Sequence, residues 1–482
     1  MKKRIISLFL MASMTCGLLA GCGAAEAEKT TADTAASEST AESEDGTTAA
    51  ADSSADADDE EQVTLRFIDI STSPLRQEYF MSVFEQFEAE QGIKVEYEGV
   101  PWDNAADKLT VLGAANDLPD VLTISEKWMG QFISAEWIMP LDDLYAEMLE
   151  PVANVATKIS VERDREMYGH VYRIPDGLIN AGFFYRKDWV EEIGYEIPTG
   201  EDWTWDAYYD LVRALTDPEK NRYCLAFRGG RGCFDTILPM LTSLTGGQVY
   251  DEEGNWLLDS PECQAVFEEY TGLYLDGHAP KDSLNWGFTE LVDNFSGGLV
   301  GTLYNNPDVV PILQDTMDDE QWGVLPVPTS PDGKVYNAAG MTYPFAVSTD
   351  SEYPEEAKLL IEYLCKVENN MQYCKNAGMI PIRNDSGDDP AYGPDGPYAG
   401  FLEQMDYPNL VFGTSYGAFD FTDLHQDMLH TEVQKYLLGQ QSAEDVMTHI
   451  GTEMEKRMKA YLAENEGTSV EKAASPADYG IE

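Results

Sequence analysis

A G-x-S-x-G pentapeptide centred on Ser415 matches the pattern that carries a nucleophilic serine in many hydrolases. A working nucleophile also needs an acid and then a histidine further along the chain. The next candidates, Asp423 and His425, are close in sequence to Ser415 and to each other, and only His430 and His449 lie beyond them. This spacing is poor for a catalytic triad and favours a glycine-rich loop that leads into a helix.

Histidine and cysteine give no metal signal. The five His and seven Cys show no H-E-x-x-H, C-x-x-C or EF-hand spacing, so no metal ion and no cofactor are predicted. Glycosidase chemistry needs two placed carboxylates, and the 87 acidic residues neither identify nor exclude such a pair. Cys224 and Cys233 could bridge a loop, but free buried thiols fit equally well, and we expect at most one disulfide.

Acidic residues dominate the charged composition. The 482 residues include 31 Lys and Arg against 87 Asp and Glu, which gives a formal net charge of -56. Such a chain repels phosphate, so nucleic-acid binding is excluded. Hydrophobic residues make up 43% and aromatic residues 11% of the chain, enough for a real core. At roughly 150 residues per domain, the length suggests two or three domains.

Residues 1–22 are predicted to be a lipoprotein signal peptide. Lys2, Lys3 and Arg4 precede an apolar stretch that ends at Ala20, which is too short for a comfortable membrane span. The Leu-Ala-Gly-Cys sequence that ends at Cys22 is similar to the bacterial lipobox. We therefore expect cleavage before Cys22 and lipidation of its thiol, with two acyl chains giving stable anchoring. The alternative is an ordinary secretory signal.

Residues 23–62 are predicted to be a disordered acidic stalk. They include 13 acidic residues and one basic residue, and almost no large apolar side chain. Such a segment cannot bury enough apolar surface to fold, and its like charges extend it. An acidic interaction tail is the alternative. The leader carries +3 and the stalk -12, which leaves -47 of the -56 on residues 63–482. Most of the acidity therefore belongs to the folded part.

From residue 63 onwards, strand-like and helix-like periods alternate. Alternating or short apolar runs predict strands at 63–67, 93–97, 121–124, 182–185, 223–227, 301–304 and 342–348. Amphipathic spacing and end signals predict helices at 74–92, 103–115, 205–215, 262–275, 354–374 and 424–462. Strands separated by helical crossovers can pair in parallel, so two α/β lobes of about 200 residues each are predicted.

Several stretches resemble, in the same order, those of the bacterial extracellular solute-binding proteins of family 1, the class of the maltose-binding protein. They are residues 94–98, 107–109, 118–121, 135–144, 184–188, 203–206, 325–328 and 378–383. The segment 185–188 is similar to the family's Y-N-K-D, with Arg186 in place of the usual Asn. Residues 203–206 are similar to the family's P-x-T-W-D-E helix start. Each stretch alone is weak, and their joint order over residues 63–462 is specific.

The resemblance implies a type II periplasmic-binding-protein-like fold, in which two discontinuous α/β lobes are joined by a hinge and hold the ligand between them. We expect residues 63–178 and 338–385 in the first lobe, 179–337 and 386–465 in the second, and a C-terminal tail at 466–482. Ligands of open α/β sheets lie beyond the carboxyl ends of the strands. A cleft between the lobes can close by hinge motion.

Loop residues that follow strands are the candidate ligand contacts. They are Asp69, Ser71, Thr72, Glu126, Trp128, Tyr185, Asn305, Asp308, Met341 and Tyr343, with Arg228, Phe234 and Trp286 as further candidates. The resemblance implies an acid and an aromatic residue at Glu126 and Trp128, sugar stacking at Tyr185 and a contact loop at Asn305. A sugar requires both kinds of group, because its C–H face packs on aromatic rings and its hydroxyls take charge-assisted hydrogen bonds.

The resulting hypothesis is a monomeric, lipid-anchored receptor on the extracellular face of the cell membrane. It captures a carbohydrate, expected to be an oligosaccharide, and delivers it to the permease subunits of an ABC importer without bond chemistry. Two alternatives stay open: a tethered extracellular carbohydrate-active hydrolase, and a binder of cationic solutes such as polyamines or peptides, which an acidic cleft would suit. Turnover would identify the first, and a steep salt dependence of binding would identify the second.

Overall fold

A computed structural model describes residues 62–481, apart from gaps at 126–127, 338, 342, 387–388, 418, 420, 422 and 466–467. The predicted leader, the lipidation site Cys22 and residues 23–61 of the predicted stalk lie outside the described residues. Within the described part, no helix combines the length and the apolar character needed to cross a membrane.

Strands and helices alternate along the described chain. The strands are β1 (Thr64–Asp69), β2 (Lys94–Gly99), β3 (Val121–Thr123), β4 (Leu178–Asn180), β5 (Gly182–Arg186), β6 (Tyr223–Leu225), β7 (Val300–Asn305), β8 (Trp322–Leu325), β9 (Val335–Asn337), β10 (Ala339–Met341), β11 (Phe345–Val347) and β12 (Leu410–Phe412). The helices are α1 (Pro74–Gln91), α2 (Trp102–Ala114), α3 (Met129–Ser134), α4 (Asp142–Leu144), α5 (Val155–Tyr168), α6 (Lys187–Ile193), α7 (Trp205–Leu215), α8 (Cys233–Thr242), α9 (Pro261–Leu275), α10 (Phe288–Ser296), α11 (Val310–Thr316), α12 (Pro354–Leu364), α13 (Val367–Ala377), α14 (Ala399–Glu403), α15 (Leu429–Leu437) and α16 (Ala443–Glu464). The predicted α/β class is confirmed.

The first sheet has the strand order β11-β3-β1-β2. β1 pairs in parallel with β2 and β3, and β11 closes the β3 edge in the antiparallel direction. Phe80, Phe84 and Phe87 lie on one face of α1 because they are three or four residues apart. Phe80 and Phe84 pack on Phe67 of β1, with ring centroids 5.0 and 5.1 Å away. Burying each such ring stabilises the fold by about 1.5–3 kcal/mol.

The second sheet has the strand order β6-β7-β5-β8. β6 and β7 are parallel, whereas β5 is antiparallel to both β7 and β8. Successive side chains of a strand point to opposite faces. Phe183 of β5 packs on Tyr208 of α7, with centroids 4.3 Å apart, and Phe184 packs on Phe401 of α14 at 5.5 Å. These neighbouring residues therefore anchor helices on both faces of the sheet.

Two short antiparallel strands, β4 and β10, cross between the regions of the two sheets. Leu178, Ile179 and Asn180 pair with Met341, Gly340 and Ala339. β4 leads directly into β5 of the second sheet, and β10 leads into β11 of the first sheet. The buried amide of Asn337 fixes this crossing, because it donates to the Ala181 carbonyl at 3.0 Å and accepts from its N–H at 3.2 Å. The expected lobe boundaries at 178 and 338 stay a prediction.

The helix predicted at 205–215 is confirmed, and the single helix predicted at 354–374 is wrong. Thr204 caps α7, accepting from the N–H of Ala207 at 3.3 Å. The second segment forms two helices, α12 and α13, because Lys366 adopts an extended ψ of 149° between them. The side chain of Asn369 donates to the Tyr363 carbonyl at 2.7 Å, which satisfies a carbonyl left open by the break.

The C-terminal strap, residues 468–481, is packed against the rest of the chain. Ala474 and Phe412 of β12 exchange backbone hydrogen bonds of 2.8 and 3.0 Å. The hydroxyl of Tyr479 donates to Glu166 of α5 at 3.1 Å. The sequence predicts only a C-terminal tail at 466–482. The strap joins α5 to β12.

The cysteines of the described part form no disulfide. The thiols are free and buried in both lobes, at Cys224, Cys233, Cys263, Cys365 and Cys374. Burial raises the pKa of Cys224 to about 12 and that of Cys365 to about 12. Such thiols stay protonated and unreactive near neutral pH. The possible bridge between Cys224 and Cys233 is absent.

Candidate functional site

A cavity of about 290 Å³, called here the principal cavity because of its position, lies at the crossing of β4 and β10. Its wall also includes the end of β7, α8, one face of α5, the loop after β12 and the C-terminal strap. The polar and aromatic side chains of the wall include Ser160, Arg163, Asp164, Arg173, Arg228, Asp235, Tyr304, Asn305, Tyr336, Ser415 and Glu471. A concave site with a few convergent polar groups is the usual form of a small-molecule site.

α5 presents three polar side chains to the cavity. Asn154 caps the helix, accepting from the N–H of Thr157 at 2.8 Å. Ser160, Arg163 and Asp164 follow at spacings of three and four residues, which places them on one helix face. They are 7%, 5% and 6% exposed. A polar helix face is therefore turned inward at this position.

Two ion pairs order the α5 face. Asp164 accepts from Nε and Nη2 of Arg173, at 2.5 and 2.8 Å, and both side chains are buried. Arg163 forms an ion pair with Glu471 of the strap, and its Nη2 also donates to the Gly413 carbonyl at 3.2 Å. Paired guanidinium–carboxylate hydrogen bonds fix orientation as well as charge. The α5 face is thus held in one arrangement.

Asp235 on α8 is the third carboxylate of the wall, and both of its oxygens have partners. Oδ1 accepts from the hydroxyl of Tyr416 at 2.7 Å, and Oδ2 lies 2.7 Å from Nε2 of His425. Burial acts to raise the pKa of Asp235, but the hydrogen bond and charge of His425, followed by the charge of Arg228, hold the pKa below its ordinary value. The carboxylate is therefore ionised near neutral pH.

The end of β7 supplies a buried donor without a partner. Asn305 is 6% exposed, and its Oδ1 accepts from the N–H of Asn306 at 2.9 Å. Its Nδ2 has no hydrogen-bond partner within the described residues. An unsatisfied buried donor costs about 1–3 kcal/mol, which an acceptor atom of a ligand would relieve. Asp308 follows on the same loop with its side chain open to solvent, and desolvation by nearby protein raises its pKa to about 6.

Arg228 lies on the loop between β6 and α8. Its Nε donates to the Arg231 carbonyl at 2.8 Å. Gly232 has φ 83°, and a Cβ there would lie 2.4 Å from Cζ of Arg228, so only glycine lets the guanidinium pack against this backbone. Among the residues that the structure describes, no carboxylate oxygen lies within 4.0 Å of the Arg228 guanidinium. The Nη1 and Nη2 groups of Arg228 are therefore available to donate to a ligand in the cavity.

Three of the predicted contact residues, Arg228, Asn305 and Met341, line the principal cavity. Asp308 lies beside it, on the loop that continues from Asn305. Glu126 lies outside the described residues. The other candidates lie elsewhere in the fold.

Asp69, one of the predicted ligand contacts, is fully buried. It is 0% exposed and accepts from Nε and Nη2 of Arg76, at 3.0 and 2.7 Å, and from the hydroxyl of Thr123 at 3.0 Å. Arg76 also lies 3.4 Å from Asp176. A buried carboxylate needs such partners. Asp69 therefore holds α1 to the first sheet.

Trp128 and Tyr343 meet Trp102 beyond the carboxyl ends of the first sheet's parallel strands. The ring centroids of Trp102 and Trp128 are 5.3 Å apart, and those of Trp102 and Tyr343 are 5.8 Å apart. Ser71 and Thr72 lie on the neighbouring loop after β1; Ser71 is half-buried and Thr72 is exposed. This aromatic group offers a stacking surface on the first lobe, outside the wall of the principal cavity.

Tyr185, Phe234 and Trp286 also lie away from the principal cavity. Tyr185 borders a different cavity of about 330 Å³, between β8 and residues 394–403. Phe234 and Trp286 are core residues, 1% and 4% exposed. The Trp286 carbonyl accepts from the N–H of Gly230 at 2.9 Å, so it supports the Arg228 loop from behind.

Sequence reasoning missed most of the wall. Arg163 and Asp164 lie on α5, which has no clear apolar stripe, and Asp235 lies on α8, which contains Pro239. The missing apolar stripe and the internal proline each argue against predicting a helix from the sequence. Glu471 lies in the segment assigned as a tail. The one usable signal was a capping Asn followed by polar residues at helical spacing.

Within the described residues, no group of His, Cys, Asp and Glu could hold a metal ion. Ser415 lies in the loop after β12, and its N–H donates to Glu471 at 3.2 Å. His425 is held by Asp235. The G-x-S-x-G pentapeptide is therefore a loop at the wall of the cavity, as its spacing indicated.

A model of the family described as bacterial extracellular solute-binding protein matches residues 73–371. The maltotriose-binding protein of Pyrococcus abyssi is 22% identical over 382 residues, which cover 76% of this chain and 78% of that protein. Among solved structures, maltose-bound MalE3 of T. maritima has a TM-score of 0.66 at 23% identity, covering 82% of this chain and 99% of that one. The sugar-binding protein MalE of Xanthomonas citri has a TM-score of 0.68 at 18% identity, covering 84% and 100%. These likenesses confirm the expected two-lobe α/β fold.

Proposed function

Because this chain belongs to the family of bacterial extracellular solute-binding proteins, we propose that it captures a carbohydrate in the principal cavity and delivers it to the permease subunits of an ABC importer. The observation that carries the proposal is a cavity of about 290 Å³ at the crossing of β4 and β10, with a polar wall that joins α5 to the end of β7, α8 and the C-terminal strap. Similar proteins named for maltotriose and maltose support a saccharide as the ligand class.

The wall suits part of a saccharide chain. The volume of the cavity is near the lower end of the range of about 300–1,000 Å³ for ligand pockets. This volume suits one or two sugar units. The ring of Tyr304 can pack on a C–H face, and Asn305 and Arg228 offer donors to sugar oxygens. A longer oligosaccharide would extend out of the cavity, and the half-buried Trp102 lies on the first lobe for such an extension.

Capture is proposed to involve hinge closure about β4 and β10. Arg163 of α5 reaches the Gly413 carbonyl after β12, so groups on both sides of the crossing meet at the cavity wall. A ligand that bridges the two sides favours the closed arrangement according to its differential affinity for that state. The closed form would be the one presented to the permease.

The proposal includes no bond chemistry. Asp164, Asp235 and Glu471 are the carboxylates of the wall, and each is held by protein partners, so none is placed as an open general acid or base. The same arrangement disfavours a polyamine or cationic peptide as ligand, because all three lining carboxylates have protein partners and Asp308, which is open to solvent, lies beside the cavity rather than in its wall. Binding without turnover is the function that this wall supports best.

We propose that a lipid anchor on Cys22 holds the monomeric protein at the extracellular face of the cell membrane. Support comes from the sequence alone: a basic start, a short apolar stretch, and a lipobox-like ending. Residues 23–62 would then act as an acidic spacer between the membrane and the lobes.

Thermal-shift screening of a saccharide panel tests the binding function, with polyamines as the contrasting arm. A ligand that binds only the folded state raises the unfolding midpoint according to its excess over Kd. Small-angle scattering with the best saccharide should then show a smaller radius of gyration. An unchanged midpoint with every saccharide, or product formation in chromatography, would count against the proposal.

A further inference from the structure

We propose that the ligand of the principal cavity is an acidic saccharide, and that Arg228 binds its carboxylate. The inference deepens the proposed function and rests on it, since it concerns the same cavity. Uronic acid units are the class of sugar that carries such a group. Three sets of observations support this specificity: the partners of the wall's carboxylates, the donors that lack partners, and the fixed position of Arg228.

The acceptors of the wall are largely occupied. Asp164 takes two hydrogen bonds from Arg173, and Asp235 is bound by Tyr416 and His425. The carboxylates that line the cavity are therefore already engaged by donors of the protein.

The donors of the wall are less well satisfied. Nδ2 of Asn305 and Nε of Arg163 are buried and have no hydrogen-bond partner in the described part of the chain. These side chains are 6% and 5% exposed, so bulk water does not compensate for the missing partners. The hydroxyl of Ser160, also buried and unpartnered, can donate as well as accept. Together with Arg228, these groups call for a ligand rich in acceptor atoms.

This imbalance distinguishes an acidic sugar from a neutral one. A sugar hydroxyl both donates and accepts, so a neutral sugar leaves protons that need open acceptors. A carboxylate only accepts, and its planar pair of oxygens matches the fork of a guanidinium. Open donors beside occupied carboxylates therefore fit a carboxylate-bearing unit better than a purely neutral one.

Arg228 is positioned before any ligand arrives. Gly229 and Gly230 hold its loop against the chain, through N–H bonds to the carbonyls of Ser283 at 3.0 Å and Trp286 at 2.9 Å. The Arg228 Nε bond to the Arg231 carbonyl then sets the plane of the guanidinium. A side chain that is already ordered loses less entropy on binding.

The test compares matched acidic and neutral probes on the chain without its leader, residues 23–482. Digalacturonate and galactobiose differ in their carboxylates, and titration calorimetry gives Kd for each. We expect digalacturonate to bind at least about tenfold tighter, the effect of one charge-assisted hydrogen bond of about 1.4 kcal/mol or more. Its Kd should also rise with salt, whereas that of galactobiose should not.

Arg228→Gln and Arg228→Lys are the diagnostic variants, and Arg231→Gln is the matched control. Arg231 is exposed three residues away and does not line the cavity. Arg228→Gln should lose the preference for digalacturonate, Arg228→Lys should keep part of it, and Arg231→Gln should keep all of it. Unfolding midpoints without ligand show whether each variant is folded. If Arg228→Gln does not fold, the affinities of Arg228→Lys for the two probes provide the test.

The outcomes separate the two proposals. Tighter binding of galactobiose, or a preference for digalacturonate that survives Arg228→Gln, overturns the acidic-sugar inference and leaves the carbohydrate-binding function standing. If neither these probes nor a wider panel of acidic and neutral oligosaccharides binds, both proposals fail.

Discussion

Arg163 and Glu471 are 308 positions apart in sequence and form an ion pair in the wall of the principal cavity. The Arg163 side chain is 5% exposed and that of Glu471 is 23% exposed. The second oxygen of Glu471 accepts from the N–H of Ser415 at 3.2 Å. One carboxylate therefore connects α5, the loop after β12 and the C-terminal strap.

Glu471→Gln should destabilise the protein and weaken ligand binding. The amide keeps an acceptor for Ser415 but leaves the buried guanidinium of Arg163 without its counter-charge, at a cost of about 1–3 kcal/mol. Urea denaturation measures the stability, and titration with the best saccharide measures the affinity. Lys472→Gln is the control on the same strap, because its pair with Glu252 is exposed and should matter little. Equal stability of Glu471→Gln and the parent would show that the strap pair does not hold the wall.

Asp164→Ala should cost about 3–5 kcal/mol of stability, because it removes one partner of a buried ion pair and leaves the other charge uncompensated. Both side chains of the Asp164–Arg173 pair are less than a tenth exposed. Replacing both residues by apolar ones of similar size should recover part of the loss. A double-mutant cycle by urea denaturation measures the coupling. The exposed Arg213–Asp210 pair is the control, and a coupling no larger than that pair's would contradict the prediction.

Asn305→Ala should weaken saccharide binding about tenfold or more while costing about 1 kcal/mol of stability. The stability cost is the lost bond to the N–H of Asn306, and it is partly offset because the variant also removes the buried, unpartnered Nδ2 donor. Tyr185→Ala is the comparison, since Tyr185 borders another cavity and should leave affinity within about twofold. Calorimetry on both variants decides between the two positions. Loss of binding only in Tyr185→Ala would place the site elsewhere.

Asp308 should make stability depend on pH in a direction opposite to that of most carboxylates. Its pKa is raised to about 6 in the folded state, chiefly by desolvation, against about 3.9 for an unfolded chain. The folded state then binds more protons between about pH 4 and 6, so this residue's contribution to stability is lost as pH rises through that window. Because the side chain is open to solvent, screening will make the effect smaller than in a sealed interior.

Asp308→Asn isolates this effect. Above about pH 6 the variant should have the higher unfolding midpoint, and below about pH 4 the difference should vanish. Subtracting the two midpoint curves removes the contributions of all other carboxylates. A difference that grows towards low pH would mean that the folded state favours the charged form of Asp308.

The fold was largely predictable because apolar residues recur along its strands and helices at the spacing typical of each. α1 and α7 begin and end near their expected residues, since Pro74, Gly92 and Thr204 are strong local signals. The break between α12 and α13 was not predictable, because both halves carry helix-forming residues and the turn depends on the side chain of Asn369.

The cavity was less predictable, because its wall is set by contacts between distant segments. Arg228, Asn305 and Met341 were expected as contacts because they follow strands. Asp69 also follows a predicted strand, but its carboxylate is bound by Arg76 of α1, the helix that packs against that strand. Position after a strand indicates where the chain turns, whereas tertiary packing decides which side chains stay open.

The buried thiols give the protein a built-in reporter of local unfolding. Cys365 and Cys374 lie at the end of α12 and on α13, beside the first sheet, whereas Cys224 lies on β6 of the second sheet, and Cys233 and Cys263 lie on α8 and α9. Each thiol is shielded in the folded state and can react only when its surroundings open. Pulsed alkylation followed by peptide mass spectrometry can therefore time the opening of each lobe separately, and show whether a bound sugar slows both or only one.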